Sequence, residues 1–552
     1  MMEDIQDWTP WPEDVASQYR KKGYWQGQCL GEMLAERAGK TPQRMALMCG
    51  ERHWTYAELL NDSYRCAHGL LDLGLQAGDR VLVQLPNVAE FFIMSFALFH
   101  LGAIPVFALP AHRQHELRHL LQISEAVAYV GTQTVSTGLD AGFDAVSMAQ
   151  SLRADLPNLR HLIFVQGEGA GIVAFAQLLS SEHQPQLPMH QNDASALALL
   201  LLSGGSTGLP KLIPRTHDDY LYSVRESARI CELDESTVYL SVLPVAHNFS
   251  LSSPGSFGVF YAGGCVVLSQ TQQADQVFAL IRQHRVNITA AVPPLAILWL
   301  EAAKKTTPQL DSLQVLQVGG AKFSAMHAQQ VLQILGCRLQ QVFGMAEGLV
   351  NYTRASDDEW LTAHTQGLAI SLDDEIRVVD DEDQPVAEGE IGHLLTRGPY
   401  TIRGYYRSAS HNRKAFTSDG FYRTGDRVRQ LTSGHLMVEG RTKDQINRGG
   451  EKIAAQEIEE LLLQYPEISD AALIALPDEF LGEKSCAVVV CNTAVKPMQL
   501  KQFLHQQGIA AYKIPDRVVL TESLPKTAVG KINKVRLQEM LNGFQGHFLA
   551  SN

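Results

Sequence analysis

The chain has few cysteines, no long apolar run and no surplus of positive charge, and each lack excludes a class of protein. Its 552 residues include eight cysteines (Cys29, Cys49, Cys66, Cys231, Cys265, Cys337, Cys486 and Cys491). None forms a CxxC or a Cys/His set with zinc spacing, so a disulfide scaffold or zinc module is excluded and packed, reduced thiols are expected. The strongest apolar run, 91–101, contains His100 and is far short of the ~20 residues that span a bilayer. The first 14 residues are acidic and rich in Trp and Pro, unlike the basic and apolar segments of a secretory leader. A cytoplasmic, soluble protein is expected. With 46 Lys and Arg against 59 Asp and Glu, net −13, no global field draws in nucleic acid or anionic membrane. Any anionic ligand must be held by a local constellation. Neither an internal repeat nor a low-complexity tract is present.

What is there is a soluble globular composition, 45% apolar and 19% charged, on a chain long enough for two or more domains with large cores. From 196 to 343 short apolar runs alternate with amphipathic ones. Strands are predicted at 197–202, 237–243, 265–268, 286–292, 313–318 and 338–343, with helices at 218–231, 273–284, 294–304 and 324–335. An earlier stretch repeats the pattern, with helices at 55–73 and 88–100 and strands at 80–85 and 104–108. Such alternation means βαβ units and doubly wound, mostly parallel sheets. From 375 onward short strands joined by Gly- and Asp-rich turns (375–379, 386–396, 420–429, 434–439) indicate an antiparallel or barrel-like β module. The acidic run 380–383 is expected to be a solvated hairpin turn. After Gly440 a block of about a hundred residues has the size of an independent α+β domain, with helices at 454–464 and 498–507 and strands at 470–476, 485–490 and 517–520.

The sharpest chemical feature is the segment 202–211, Leu-Ser-Gly-Gly-Ser-Thr-Gly-Leu-Pro-Lys, directly after an apolar strand. Gly204, Gly205 and Gly208 let the backbone come close to a ligand and turn N–H groups toward it. Ser203, Ser206, Thr207 and Lys211 add donors and charge, the chemistry of a polyphosphate cradle. The register is not that of a Walker A loop, and Pro210 precedes the lysine. Taken alone, the segment also fits an ordinary Gly/Ser turn.

This segment resembles the phosphate loop of the adenylate-forming superfamily, which includes acyl-CoA synthetases, peptide-synthetase adenylation domains and luciferases. Four more of its motifs follow in order. Residues 341–347 (Gln-Val-Phe-Gly-Met-Ala-Glu) are similar to the motif ending in a magnesium-binding glutamate, here Glu347. Residues 422–426 (Tyr-Arg-Thr-Gly-Asp) are similar to the motif whose aspartate, Asp426, holds both ribose hydroxyls. Residues 440–444 (Gly-Arg-Thr-Lys-Asp) are similar to the hinge, with Arg441 near ribose and phosphate and Lys443 as pivot. Residues 525–531 (Pro-Lys-Thr-Ala-Val-Gly-Lys) are similar to the loop carrying the catalytic lysine, Lys531. The resemblance implies a large domain over 1–441, a hinge at 442–444 and a mobile α+β lid over 445–552. It also implies ATP and Mg²⁺ as cofactors. The residues make chemical sense in these roles. An aspartate is a bidentate acceptor for two hydroxyls. Bringing a carboxylate to an anionic α-phosphate is an electrostatic problem that cations aimed at the transferring group relieve.

Residues 244–253 (Pro-Val-Ala-His-Asn-Phe-Ser-Leu-Ser-Ser) occupy the place of the superfamily's acyl-pocket motif. Amino-acid-activating members carry aspartate where Asn248 stands. An amide cannot pair an ammonium but can hydrogen-bond a phenolic hydroxyl. This segment, with 318–322, 350–354 and 446–453, resembles the stand-alone 2,3-dihydroxybenzoate–AMP ligases of catechol siderophore assembly. By that resemblance Asn248, Phe249, Ser253, Val342 and Val350 line an aryl pocket. Gly320, Ala321, Val342 and Phe343 border adenine, and His247 gates the carboxylate, unless it is a hydrogen-bonded core histidine. Gly449, Gly450 and Lys452 lie along a thiol channel. Phe249 departs from the tyrosine common in that group, whereas Ser253 differs from the cysteine of salicylate enzymes. The resemblance implies an aryl carrier protein as acceptor. Between 496 and 536 eight basic residues face two acidic ones, which suits an acidic partner or a plain solvated face. A salicylate–AMP ligase, an aryl- or acyl-CoA ligase and a non-catalytic nucleotide-binding protein are the other readings. The presence of Lys531 and Asp426 speaks against the last.

Overall fold

The computed structural model describes residues 7–133, 143–180, 193–203, 210–441, 445–525 and 532–543. It divides into two compact units. The first comprises Leu120–Ser203 and Lys211–Gly440 together with the chain up to Pro110; the second comprises Ala111–His119 and the chain from Arg441 onward.

Two sheets dominate the first unit. The larger has nine strands, in the order Leu368–Ala369, Gly348–Tyr352, Arg338–Met345, Val315–Gly319, Ile288–Ala291, Val238–Ser241, Cys265–Leu268, Met45–Cys49 and Arg52–Thr55. Its five central pairs are parallel; the two pairs that join Leu368–Ala369, Gly348–Tyr352 and Arg338–Met345 at one edge, and the pair Met45–Cys49/Arg52–Thr55 at the other, are antiparallel. Connecting helices cover its strands, which is why they read as unbroken apolar runs. The second sheet has seven strands and ends in the antiparallel hairpin of Leu197–Leu202 with Leu212–Thr216. The strand predicted at 265–268 has those bounds, and the helix predicted at 218–231 runs over His217–Ile230. That helix opens on a capping box, in which the Thr216 hydroxyl accepts from the Asp219 N–H and the Asp219 carboxylate accepts from the Thr216 N–H at 2.8 Å.

The apolar run at 91–101 belongs to the helix Ala89–Leu101. Every one of its 13 residues is buried, so a helix of bilayer-like composition is here a core element. Phe92 and Phe96 meet Phe257 and Phe260 edge-on or tilted. Among the described residues no helix is long and apolar enough to cross a membrane. None of the eight cysteines is in a disulfide, and all but the partly covered Cys491 are buried.

Where the sequence left an antiparallel sheet or a barrel open, the structure has a four-stranded sheet: Glu375–Val379, Ile391–Arg397, Tyr422–Gln430 and Leu436–Arg441. The acidic run 380–383 turns its first hairpin, with Asp381 on His393 and Asp383 on Arg423. In the second unit Glu451–Ala454, Gln445–Arg448, Gly482–Cys491 and Ile468–Asp478 form one sheet, with Arg517–Thr521 added alongside Gly482–Cys491. Gly449 and Gly450 have φ of 61° and 98°. Arg448 pairs with Glu451 across them, a two-residue turn that demands left-handed backbone and so glycine.

Candidate functional site

The strands Leu197–Leu202 and Leu212–Thr216 flank the glycine-rich segment in the sequence and pair antiparallel. Ser203 and Lys211 close the hairpin: the Ser203 N–H donates to the Lys211 carbonyl at 2.9 Å, and the Lys211 N–H donates to Ser203 Oγ at 3.1 Å. Gly204, Gly205, Ser206, Thr207 and Gly208 lie outside the described residues, as do Lys443 and Lys531. Lys211 Nζ stands 5.9 Å from the centroid of the Tyr405 ring.

Tyr405 links that lysine to Glu347. Its hydroxyl donates to Glu347 Oε1 at 2.8 Å and lies 2.8 Å from the Tyr422 hydroxyl. Burial, then the Glu347 carboxylate and Tyr422, push the Tyr405 phenol far above its ordinary range, so it stays a donor. Glu347 is 8% exposed, and the second oxygen of its carboxylate has no hydrogen-bond partner among the described residues. No set of three or more His, Cys, Asp or Glu able to hold a metal occurs among them. One oriented carboxylate oxygen fits Mg²⁺, which keeps several waters and takes its other ligands from phosphates. Asp426 is buried in the strand Tyr422–Gln430, its N–H donating to Thr424 Oγ1 at 3.0 Å. Arg441 ends the strand Leu436–Arg441.

The predicted aryl and adenine residues come together at one end of the nine-stranded sheet. Gly319 is registered with Val342, Val342 with Tyr352, and Gly344 with Val350. A Cβ on Gly319 would lie 2.8 Å from the Val342 carbonyl oxygen and 3.1 Å from Phe249 Cζ. Only glycine lets the Phe249 ring approach so closely. Gly320 follows with φ of +85°, Ala321 is half-buried, and Phe343 sits on the strand Arg338–Met345. Val342 and Val350 are buried.

His247 is not a core histidine. It is exposed, and its Nδ1 accepts from the Phe249 N–H at 3.2 Å as the N-cap of the short helix Asn248–Ser252. Sequence reasoning named Asn248 but not the groups behind it. Tyr220 Oη and Ser252 Oγ each donate to Asn248 Oδ1 at 3.0 Å. Tyr220 reads in the sequence as one more apolar position of a helix, and nothing local marks it. Ser253 is buried, and its hydroxyl acts on the phenol of the buried Tyr352. Of the proposed thiol-channel residues, Gly449 and Gly450 make the glycine turn above, and the half-buried Lys452 is on Glu451–Ala454. The basic stretch 496–536 is in part used internally. Lys513 is buried against Glu457, Lys501 donates to the Asp516 carbonyl, and Lys534 pairs with Glu459.

The family comparisons agree with this geometry. The model of the AMP-binding enzyme family matches residues 34–406, and that of the AMP-binding enzyme C-terminal domain matches residues 457–531. The chain belongs to the AMP-binding enzyme family. It is 53% identical over 539 residues to the 2,3-dihydroxybenzoate-AMP ligase of Bacillus subtilis (strain 168), covering 98% of each chain. It is 52% identical to the vibriobactin-specific 2,3-dihydroxybenzoate-AMP ligase of Vibrio cholerae, over 96% of this chain and 97% of that one. Among solved structures, the apo structure of Mycobacterium smegmatis MbtA is similar at 45% identity and a TM-score of 0.75, over 97% of this chain and 98% of that one.

Proposed function

We propose that this enzyme activates an aryl acid, 2,3-dihydroxybenzoate, with ATP and passes the aryl group to the phosphopantetheine thiol of an aryl carrier protein in siderophore assembly. The observation that carries the substrate class is Asn248. An amide stands where an amine-bearing substrate needs a carboxylate, and segment 244–253 holds no acidic side chain. The names of the two bacterial relatives at about half identity support the same acid.

In the first half-reaction a carboxylate oxygen of the acid bonds to the α-phosphorus, and the bond from that phosphorus to the β-phosphate bridging oxygen breaks, releasing pyrophosphate. Asp426 holds the ribose hydroxyls, Gly320, Ala321, Val342 and Phe343 border adenine, and the loop from Ser203 to Lys211, with Arg441, holds phosphates. His247 flanks the carboxylate. Lys531 offers its ammonium to the carboxylate and α-phosphate as they approach. Glu347 would hold Mg²⁺, which would supply further charge neutralisation for the phosphates. In the second half-reaction the thiol adds to the acyl carbon and AMP leaves. The lid, 445–552, turns about Lys443 to present Gly449, Gly450 and Lys452 to the incoming arm.

ATP–pyrophosphate exchange with a panel of benzoates tests the reading. Exchange dependent on 2,3-dihydroxybenzoate, without coenzyme A, is expected. Lys531→Ala should abolish exchange in a folded protein yet leave transfer from preformed aryl-adenylate to the carrier. Equal loss of both half-reactions contradicts the two-state lid.

A further inference from the structure

Asn248 can present either its carbonyl oxygen or its amino group to the aryl pocket, and the two choices select opposite substrates. The groups behind it decide which. Tyr220 is fully buried, Ser252 is 3% exposed, and both hydroxyls lie 3.0 Å from Asn248 Oδ1. Each hydroxyl has one hydrogen to place. With the carbonyl oxygen inward, both hydrogens find an acceptor. With the amino group inward, two N–H donors would face the two hydroxyls; Ser252 would keep only its longer contact to the Asn248 main-chain carbonyl, at 3.3 Å, and Tyr220 would lose its carbonyl acceptor in a buried site. The Arg215 guanidinium, 4.9 Å from the Tyr220 ring centroid, draws electron density from the phenol and makes it a better donor than acceptor. The amino nitrogen, Nδ2, has no partner among the described residues.

We infer that Tyr220 and Ser252 are positioning residues that lock the Asn248 amide with its N–H donors facing the substrate, so that the pocket accepts an oxygen and refuses an amine ortho to the carboxylate. The inference rests on the aryl-acid reading above. An ortho hydroxyl bonds its own hydrogen to the neighbouring carboxylate and turns an oxygen lone pair outward, which is what a locked donor needs. An ortho amine turns N–H hydrogens toward that donor, and its lone pair is delocalised into the ring.

The test compares kcat/KM in ATP–pyrophosphate exchange for benzoate, 2-hydroxybenzoate and 2-aminobenzoate. The wild type should prefer 2-hydroxy- over 2-aminobenzoate by about 10-fold or more, the scale set by one unpaired buried polar contact. In Tyr220→Phe/Ser252→Ala the amide can turn, and that ratio should collapse to within about threefold. Benzoate, which has no ortho group, should change less than about twofold, a pattern that general damage to the pocket does not give. Ser252→Thr keeps a hydroxyl and should keep the wild-type ratio. Asn248→Asp, in the otherwise native scaffold, still accepts from both hydroxyls but faces the pocket with an acceptor, and should reverse the preference. A wild-type ratio in the double variant, or no reversal in Asn248→Asp, overturns the lock. A wild type that exchanges with none of the three acids, nor with 2,3-dihydroxybenzoate, overturns the aryl-acid reading itself, and the lock with it.

Discussion

Lys513 and Asn248 are both polar side chains drawn into apolar surroundings, yet their neighbourhoods differ in what is left over. Lys513, in the second unit, is 2% exposed. Its ammonium lies 2.7 and 2.9 Å from the two oxygens of Glu457 and 3.0 Å from Glu116 of the same unit. Glu116 also accepts from the N–H groups of Ala510 and Arg113. Every group there meets its complement inside the protein. At Asn248 the carbonyl is matched twice, and the amino group is matched by nothing among the described residues. A closed polar network holds a fold together; one with donors left over, on the reading proposed above, meets a molecule that brings the missing acceptors.

The strongest way to break this contrast is Lys513→Met. Removing the cation leaves two buried carboxylates without a counter-charge, which should cost about 3–5 kcal/mol of stability. Urea unfolding measures it, and a loss under about 1 kcal/mol would mean that the network is not closed. Ser253→Cys probes the open side. The Ser253 hydroxyl is expected to serve the 3-hydroxyl of 2,3-dihydroxybenzoate. Its loss should lower kcat/KM for that acid by roughly 5- to 150-fold, the equivalent of ~1–3 kcal/mol, and spare 2-hydroxybenzoate. Equal penalties on both acids would remove Ser253 from that role.

A further effect is on pH. Burial holds the His112 imidazole down at about 4. Burial pushes the Glu116 carboxyl up, but Lys513, His112 and the backbone donors outweigh it and hold the group down at about 2. Both folded values lie below the ordinary 6.5 and 4.5, so the unfolded chain takes up protons first as pH falls. The stability they contribute is complete above about pH 6.5. It declines first through the His112 window, from 6.5 to 4, then through that of Glu116, from 4.5 to 2. Thermal melts between pH 7 and pH 3 should show a falling midpoint, and Lys513→Met should flatten the lower part of the curve.

The same contrast separates what the sequence makes legible from what it hides. Strands such as Cys265–Leu268 and helices such as Ala325–Leu335 were readable because they are apolar or amphipathic runs bounded by Gly or Ser. The helices Asn248–Ser252 and Gly255–Ala262 were not, because Asn, Ser and Gly are poor helix formers and tertiary packing imposes their conformation. At the site, Glu347, Asp426 and Asn248 were legible through their motifs. Tyr220, Ser252 and Tyr405 were not. Tyr220 and Tyr405 act on their partners through the fold, across 28 and 58 positions, and no local pattern ties such residues together; Ser252 is only four positions from Asn248, but the short helix that brings the two together is not announced by the sequence.

The wholly buried helix Ala89–Leu101 carries a consequence for how the chain is made. The rings that cover Phe96 include Phe257, roughly 160 residues later in the sequence. At ribosomal speeds of ~5–20 residues per second, the helix is synthesised about 8–30 s before that partner. For that interval it has no native cover from that quarter, and a holdase or an early docking onto its own upstream helices must shield it. Biogenesis is therefore more exposed to crowding and heat than the finished enzyme is.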